Sequence, residues 1–162
     1  MVIWIIGVSS SGKSTAANII YDKIKSDKKI ILDGDEIRSN FYPKLGFTIN
    51  DRRKNSNFIY KLSKFLSNQN YFVIVPILSI FQKHRDRNRK ELKDYTEIYI
   101  KSNHNILLKR DKRGIYNSKK NIVGKDIAFE EPKNYDYLII NDKSKTHFSR
   151  ELELILKKIN AV

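Results

Sequence analysis

One stretch of this chain carries chemistry on its face: Gly7-Val8-Ser9-Ser10-Ser11-Gly12-Lys13-Ser14 matches G-x-x-x-x-G-K-[ST] without a mismatch. Each fixed position has a physical task. The glycines let the backbone curl so that successive N–H groups point at phosphate oxygens, at the positive end of a following helix. The Lys13 ammonium reaches β- and γ-phosphates and the Ser14 hydroxyl ligates Mg²⁺. The motif predicts a nucleoside triphosphate and Mg²⁺ as ligands, and it leaves the phosphoryl acceptor open.

Further carboxylates and cations follow. Asp33-Gly34-Asp35 comes next, with Arg38 three residues on, then Leu45-Gly46-Phe47, Asp51-Arg52 and Asn55. A carboxylate at the C-terminal end of a strand beside the phosphate loop would sit in the crevice where α/β sheets bind ligands. There it could take an alcohol's proton or orient Mg²⁺. Asp-Gly before a helix also reads as an ordinary turn with a capping Asp. Arg38, Arg52 and Asn55 are suited to converge on an anion through paired hydrogen bonds, whereas any one of them alone reads as a solvated side chain.

These residues need elements to hold them. Val2–Ile6 is a continuous apolar run ended by Gly7, as expected of a strand buried on both faces. Further strands are expected at Lys29–Leu32, Tyr71–Leu78, Glu97–Ile100 and Tyr137–Ile140. Helical spacing of apolar residues predicts helices over Thr15–Ile24, Arg53–Ser67, His84–Lys93, Asn105–Lys109 and Phe148–Ile159. Strands that each feed a helix imply βαβ units. The expected fold is α/β, of the P-loop NTPase type: three α/β/α layers around a mostly parallel five-stranded sheet, in a single domain over residues 1–162. Asp111–Pro132 has little periodicity and reads as a long lid loop over the active site. Trp4 and the other aromatics read as core.

Composition narrows the class. The 162 residues carry 32 Lys and Arg against 18 Asp and Glu, a net charge of +14, with 40% hydrophobic residues and no cysteine. That is a globular composition without a disulfide framework or thiolate metal site. The longest apolar runs are strand-sized, so no membrane span is expected, and the N-terminus lacks the pattern of a signal peptide. A cytoplasmic address is the expectation. The surplus charge fits nucleic acid, an anionic membrane surface, anionic small molecules, or a Lys-rich surface with no partner. No helix-turn-helix, RNP or zinc pattern supports a nucleic-acid partner, and no N-K-x-D element for guanine is present. The dense run Lys83–Lys93 reads as solvated surface.

The order of motifs resembles the adenylyl-sulfate kinase (APS kinase) family: G-x-x-x-x-G-K-S-T at Gly7 to Thr15, D-G-D-x-x-R at Asp33 to Arg38 and L-G-F-x-x-x-D-R-x-x-N at Leu45 to Asn55. It continues with Ser79 after an apolar strand, R-D-x-[KR]-G-[LI]-Y at Arg110 to Tyr116, and Glu130-Glu131-Pro132, collinear over about four fifths of the chain. The resemblance implies transfer of the γ-phosphoryl of ATP to the ribose 3′-hydroxyl of a 5′-modified nucleotide. It places Asp35 beside the acceptor hydroxyl and Mg²⁺, with Ser14 as the other metal ligand. Arg38, Arg52 and Asn55 fall on the acceptor nucleotide, with Ser79, and Phe47 stacks on its base. Gly7, Ser9, Ser10, Ser11, Gly12, Lys13, Ser14, Thr15 and Arg110 bind ATP, and Arg113 reaches the transferred charge. By analogy it also implies a homodimer, and neither nucleic acid nor membrane as partner.

Departures cluster on the acceptor side. The family's lid, G-F-T-G-[IV]-D-x-P-Y-E-x-P, closes a Phe on the adenine. Here Asn121–Pro132 is shorter, with Ile122 in that place. The usual S-P-[YF]-R is Ser79-Ile80-Phe81-Gln82, and a lysine is replaced by Arg113. Kept phosphate chemistry with altered base recognition is similar to the cytidine diphosphoramidate kinases of bacterial capsule biosynthesis, which are relatives of APS kinase. The alternative is adenylyl sulfate itself as acceptor.

Overall fold

The computed structural model describes residues 1–112, 114–118, 121–124 and 126–162. β1 (Val2–Ile6) is buried at every position, so a strand of nothing but apolar residues takes the centre of the sheet. β3 (Phe72–Ile77) and β4 (Tyr95–Lys101) flank it in parallel. β2 (Lys29–Ile31) pairs with β3 and β5 (Tyr137–Ile140) with β4, again in parallel, giving the order β2-β3-β1-β4-β5.

Alternate residues of β1 feed two cores. Ile3 and Ile5 pack with Ala16, Ala17 and Ile20 of α1 (Lys13–Lys23) and with Phe148, Leu152, Ile155 and Leu156 of α7 (Lys145–Lys158). Val2, Trp4 and Ile6 pack on the opposite face with Ile37 of α2 (Gly34–Phe41), Ile59 and Tyr60 of α3 (Ile49–Asn68), and Leu92 after α4 (Gln82–Glu91). Each fully buried isoleucine contributes roughly 1.5–3 kcal/mol of transfer free energy. Trp4 is core, as expected, and its indole Nε1 donates to Ser79 Oγ at 3.1 Å.

Three elements depart from expectation. α2 is too short and polar to show periodicity. It is set by its cap, where the Asp33 carboxylate accepts from the Asp35 N–H at 2.9 Å. α3 begins at Ile49 rather than Arg53, because Thr48 and Asp51 form a reciprocal capping box. The lid is not all loop: α5 (His104–Arg110) is followed by α6 (Ile115–Ser118), whose Tyr116 N–H donates to Asp111 Oδ2 at 2.8 Å. No helix among the described residues is long and apolar enough to cross a membrane.

The basic run on α4 is solvated surface only in part: Lys83, Lys90 and Lys93 are exposed, as expected, whereas the arginines are engaged by the scaffold. Arg85 is as buried as Glu97 of β4, the pair lying 3.8 Å apart with 1% exposure each, and Arg85 also donates to the Ser79 carbonyl. Arg87 lies over the Tyr60 ring at 3.7 Å, and Arg89 pairs with Asp136 at 2.8 Å. Burial pushes the Glu97 carboxyl up from its ordinary range, opposed by the Tyr95 hydroxyl and the Arg85 cation. Removing the arginine leaves that carboxylate uncompensated inside the sheet. Arg85→Ala is expected to lower the unfolding free energy by about 3–5 kcal/mol, measured by urea titration; a loss under about 1 kcal/mol would contradict the buried-pair account.

Candidate active site

The C-terminal ends of β1, β2 and β3, with the residue that follows β5, open onto one cavity of about 780 Å³. It lies where the chain leaves β1 for strands on either side, the place at which parallel sheets bind ligands. The loop after β1 forms one wall. Gly12, at φ 108° the N-cap of α1, has the left-handed backbone that other residues rarely adopt. A Cβ on Gly7 would stand 2.4 Å from the Ile100 carbonyl. Among the described residues no side chain caps α1 and its first turn holds no acid, the arrangement in which a helix N-terminus attracts an anion.

The loop carbonyls point away and are met from outside. Lys13 Nζ donates to Val8 O at 2.8 Å, Tyr116 Oη to Ser9 O at 2.9 Å and Asn141 Nδ2 to Ser11 O at 2.8 Å. Ser9, Ser10, Gly12, Lys13, Ser14 and Thr15 line the cavity. Gly7 and Ser11, expected among the ATP contacts, instead shape the loop from behind: Ser11 is fully buried and its Oγ would lie 2.6 Å from a Cβ on Gly7.

Opposite stand the carboxylates. Ser14 Oγ donates to Asp33 Oδ2 at 3.0 Å, so the acid touching the phosphate loop is Asp33. Asp35 lines the same cavity one helical step on. Ser14 and Asp35 are the expected metal ligands; Asp33, expected only as a capping residue of the turn, is the carboxylate in contact with Ser14. Among the described residues no group of three or more His, Cys, Asp or Glu could hold a metal by itself. A serine hydroxyl beside carboxylates is a hard oxygen set of the kind Mg²⁺ takes when phosphates complete its shell.

The third wall gathers Arg38, Phe47, Arg52 and Asn55. Arg38 and Arg52 lie over the Phe47 ring at 4.7 and 5.6 Å, and Arg38 donates to the Gly46 carbonyl. Arg52 ties two segments together, its Nε donating to Phe47 O at 3.0 Å and its Nη2 to Asn121 O of the lid at 2.9 Å. Burial pushes both guanidiniums down from their ordinary values. Asp35 and then Asp51 oppose this at Arg38; at Arg52 the Arg38 cation adds to it. Two partly desolvated cations side by side make an anion site. Asn55 is fixed by its Nδ2, which donates to Gly34 O at 3.0 Å; its Oδ1 and the Arg38 Nε are buried with no partner among the described residues.

Ser79 and Ile122 line the cavity as expected. Ser79 accepts from Trp4, and Ile122 packs with Leu107 and Tyr116 beneath the lid. Arg110 lines the cavity too, its Nη1 donating to Asn141 O at 2.8 Å. Arg113 lies outside the described residues. Asn141 and Lys143, after β5, and Lys145, the first residue of α7, line the cavity and belong to no motif the sequence displayed.

Residues 1–140 match the family model described as Adenylylsulphate kinase. A cytidine diphosphoramidate kinase of Campylobacter jejuni is 38% identical over 168 aligned positions, spanning 98% of this chain and 95% of its own. A probable adenylyl-sulfate kinase of Archaeoglobus fulgidus is 33% identical over 150 positions, spanning 88% and 97%. The structure of the Mycobacterium tuberculosis APS kinase CysC in complex with AMPPNP and APS superposes with a TM-score of 0.84 at 26% identity, over 96% of each chain.

One titrating group stands directly behind the third wall. Ser56, which lines the cavity, pairs through Oγ with His84 Nδ1 at 3.0 Å. Burial, then the Arg87 and Arg53 cations, push His84 down from 6.5 to about 4. The unfolded chain therefore takes up this proton first. The contribution to stability is complete above the unfolded value of 6.5 and is lost as pH falls toward 4. Urea unfolding at about pH 7.5 and about pH 5 should show His84→Gln losing less stability on acidification than the parent; equal losses would place the proton elsewhere.

Proposed function

The chain belongs to the adenylylsulphate kinase family, and we propose that it phosphorylates the ribose 3′-hydroxyl of a 5′-modified cytidine nucleotide of the cytidine diphosphoramidate type. As a member of that family it is an ATP-dependent nucleotide kinase. The observation that carries the reading is the acceptor wall. Phe47 offers a partly exposed aromatic ring with two cations over it, and the lid offers the aliphatic Ile122 in the same cavity. A single aromatic partner favours a small base: stacking is worth roughly 1–3 kcal/mol per base, and a purine loses more when its second aromatic is absent. The 38% identity to the Campylobacter kinase, over nearly the whole of both chains, supports the same acceptor. Adenylyl sulfate is the second reading, favoured by the family model and by the archaeal relative.

The residues divide the reaction as follows. The 3′-oxygen attacks the γ-phosphorus in line, the bond to the β–γ bridging oxygen breaks, and ADP leaves. Phosphoryl transfer of this kind depends mostly on alignment and on neutralising oxygens. Lys13 and the loop N–H groups hold the β- and γ-phosphates, with Thr15 at the start of the same helix. Arg110, and Arg113 from the lid, neutralise charge on the transferred group. Asp35 takes the hydroxyl proton. Arg38, Arg52, Asn55 and Ser79 hold the acceptor's phosphate-bearing end, and Phe47 its base. Ser14, Asp33 and Asp35 are the residues that would hold Mg²⁺, which when bound neutralises phosphate oxygens.

Side-by-side turnover of ATP with cytidine diphosphoramidate and with adenylyl sulfate tests the acceptor. The cytidine nucleotide is expected to give the larger kcat/KM, and turnover of adenylyl sulfate alone would sink the proposal. Asp35→Asn is expected to lower kcat by about 100-fold to 10,000-fold with an unchanged circular dichroism spectrum. Full activity in that variant would remove Asp35 from its role, and Lys13→Ala should abolish transfer in the same assay.

A further inference from the structure

We infer that Asn141, at the end of β5, is a positioning residue for the ATP side of the reaction, anchoring the phosphate loop and the lid arginine at one point. The inference rests on the kinase reading above, in which the donor occupies the loop after β1. A loop that turns its N–H groups toward phosphate must turn its carbonyls outward, where each needs a donor. Ser11 finds that donor in Asn141: the amide Nδ2 stands 2.8 Å from Ser11 O, in a side chain that is 7% exposed.

The approach is close. A Cβ on Gly12 would lie 2.5 Å from the same Nδ2, so the glycine that starts α1 leaves room for the amide as well as for the phosphate. The asparagine is itself held by the sheet, since its backbone N–H donates to Lys101 O at 2.8 Å. Its carbonyl accepts from Ser102 Oγ at 3.0 Å and from Arg110 Nη1 at 2.8 Å. One residue thus receives the guanidinium at the lid's root and grips the loop that holds the phosphates. The chemistry calls for an amide. A carboxylate of the same shape would present lone pairs to the Ser11 carbonyl and add a negative charge beside the phosphates, and alanine would leave that carbonyl without its donor.

Three measurements on Asn141→Asp and Asn141→Ala test this: melting without nucleotide, binding of ADP with Mg²⁺, and steady-state kinetics in both substrates. Folded variants are expected to bind ADP about tenfold more weakly and to show ATP KM raised about tenfold, the aspartate more than the alanine, while acceptor KM moves less than about twofold. Parent-like ADP affinity in a folded variant overturns the inference. So does an equal rise in both KM values, which a general loosening of the fold would produce. If Asn141→Asp does not fold, Asn141→Ala decides; if neither folds, the residue serves the fold and the inference fails. Should the parent itself not bind ADP, the kinase reading falls rather than the role of Asn141.

Discussion

Everything at this site depends on a loop that must turn its N–H groups inward while its carbonyls stay satisfied. Backbone groups removed from water need partners, and the backbone of a curled loop supplies few of them. Here the partners come from three directions: the loop's own Lys13 for Val8, the lid's Tyr116 for Ser9, and the sheet's Asn141 for Ser11. The glycines are the other half of the constraint. Gly7 passes against the Ile100 carbonyl and Gly12 against the Asn141 amide, at distances no side chain fits. The central strand, buried on both faces, delivers the loop to this point, while β2 leads into α2 and α3, which carry the arginine wall, and β4 leads into α5 at the lid's root.

The charge of +14 takes a different meaning once its members are placed. Lys13, Arg38, Arg52 and Arg110 face one cavity, where two polyanionic nucleotides would meet. The α4 arginines serve the scaffold instead. Arg85 neutralises Glu97 inside the sheet and holds the Ser79 carbonyl, and Arg87 and Arg89 are engaged by Tyr60 and Asp136. Ser79 follows β3 with a left-handed backbone at φ 48°. Arg85 and Trp4 hold it from two sides, so this part of the cavity's floor is built on a buried ion pair. That accounts for an arginine-rich helix without a nucleic-acid partner.

Much of this was legible in the residues. Continuous apolar runs marked the strands, and the phosphate motif named its own loop, because both signals are local and strong. What the sequence hid was decided by caps or by tertiary contact. α2 and the first turn of α3 rest on side chains bonding to backbone, at Asp33 and at Thr48 with Asp51, in stretches too polar to show periodicity. α6 is one turn inside a charged segment. Asp33 and Asp35 are equivalent in composition; only the fold shows which one Ser14 touches. Asn141 stands far from the loop in sequence and shares no motif with it, so it becomes visible only when β5 is laid beside β4.

Arg52 raises the last point, how the acceptor's base and the lid are connected. A single guanidinium reaches the carbonyls of Phe47 and Asn121 while lying over the Phe47 ring. The next residue, Ile122, is packed against Leu107, Tyr116 and Val8, and Tyr116 in turn grips the phosphate loop at Ser9. Base wall, lid and donor loop thus form one chain of contacts. A lid shortened relative to the family pattern still meets the acceptor wall, because Arg52 spans the gap by hydrogen bonding where an aromatic side chain would have closed it by stacking. The consequence is chemical: a planar guanidinium and an aliphatic residue border the cavity beside Phe47. Such a border has donors to offer a base edge and less π-surface to offer its face. That balance is what the proposed cytidine acceptor asks for, cytosine having a smaller face than adenine and a carbonyl at its edge.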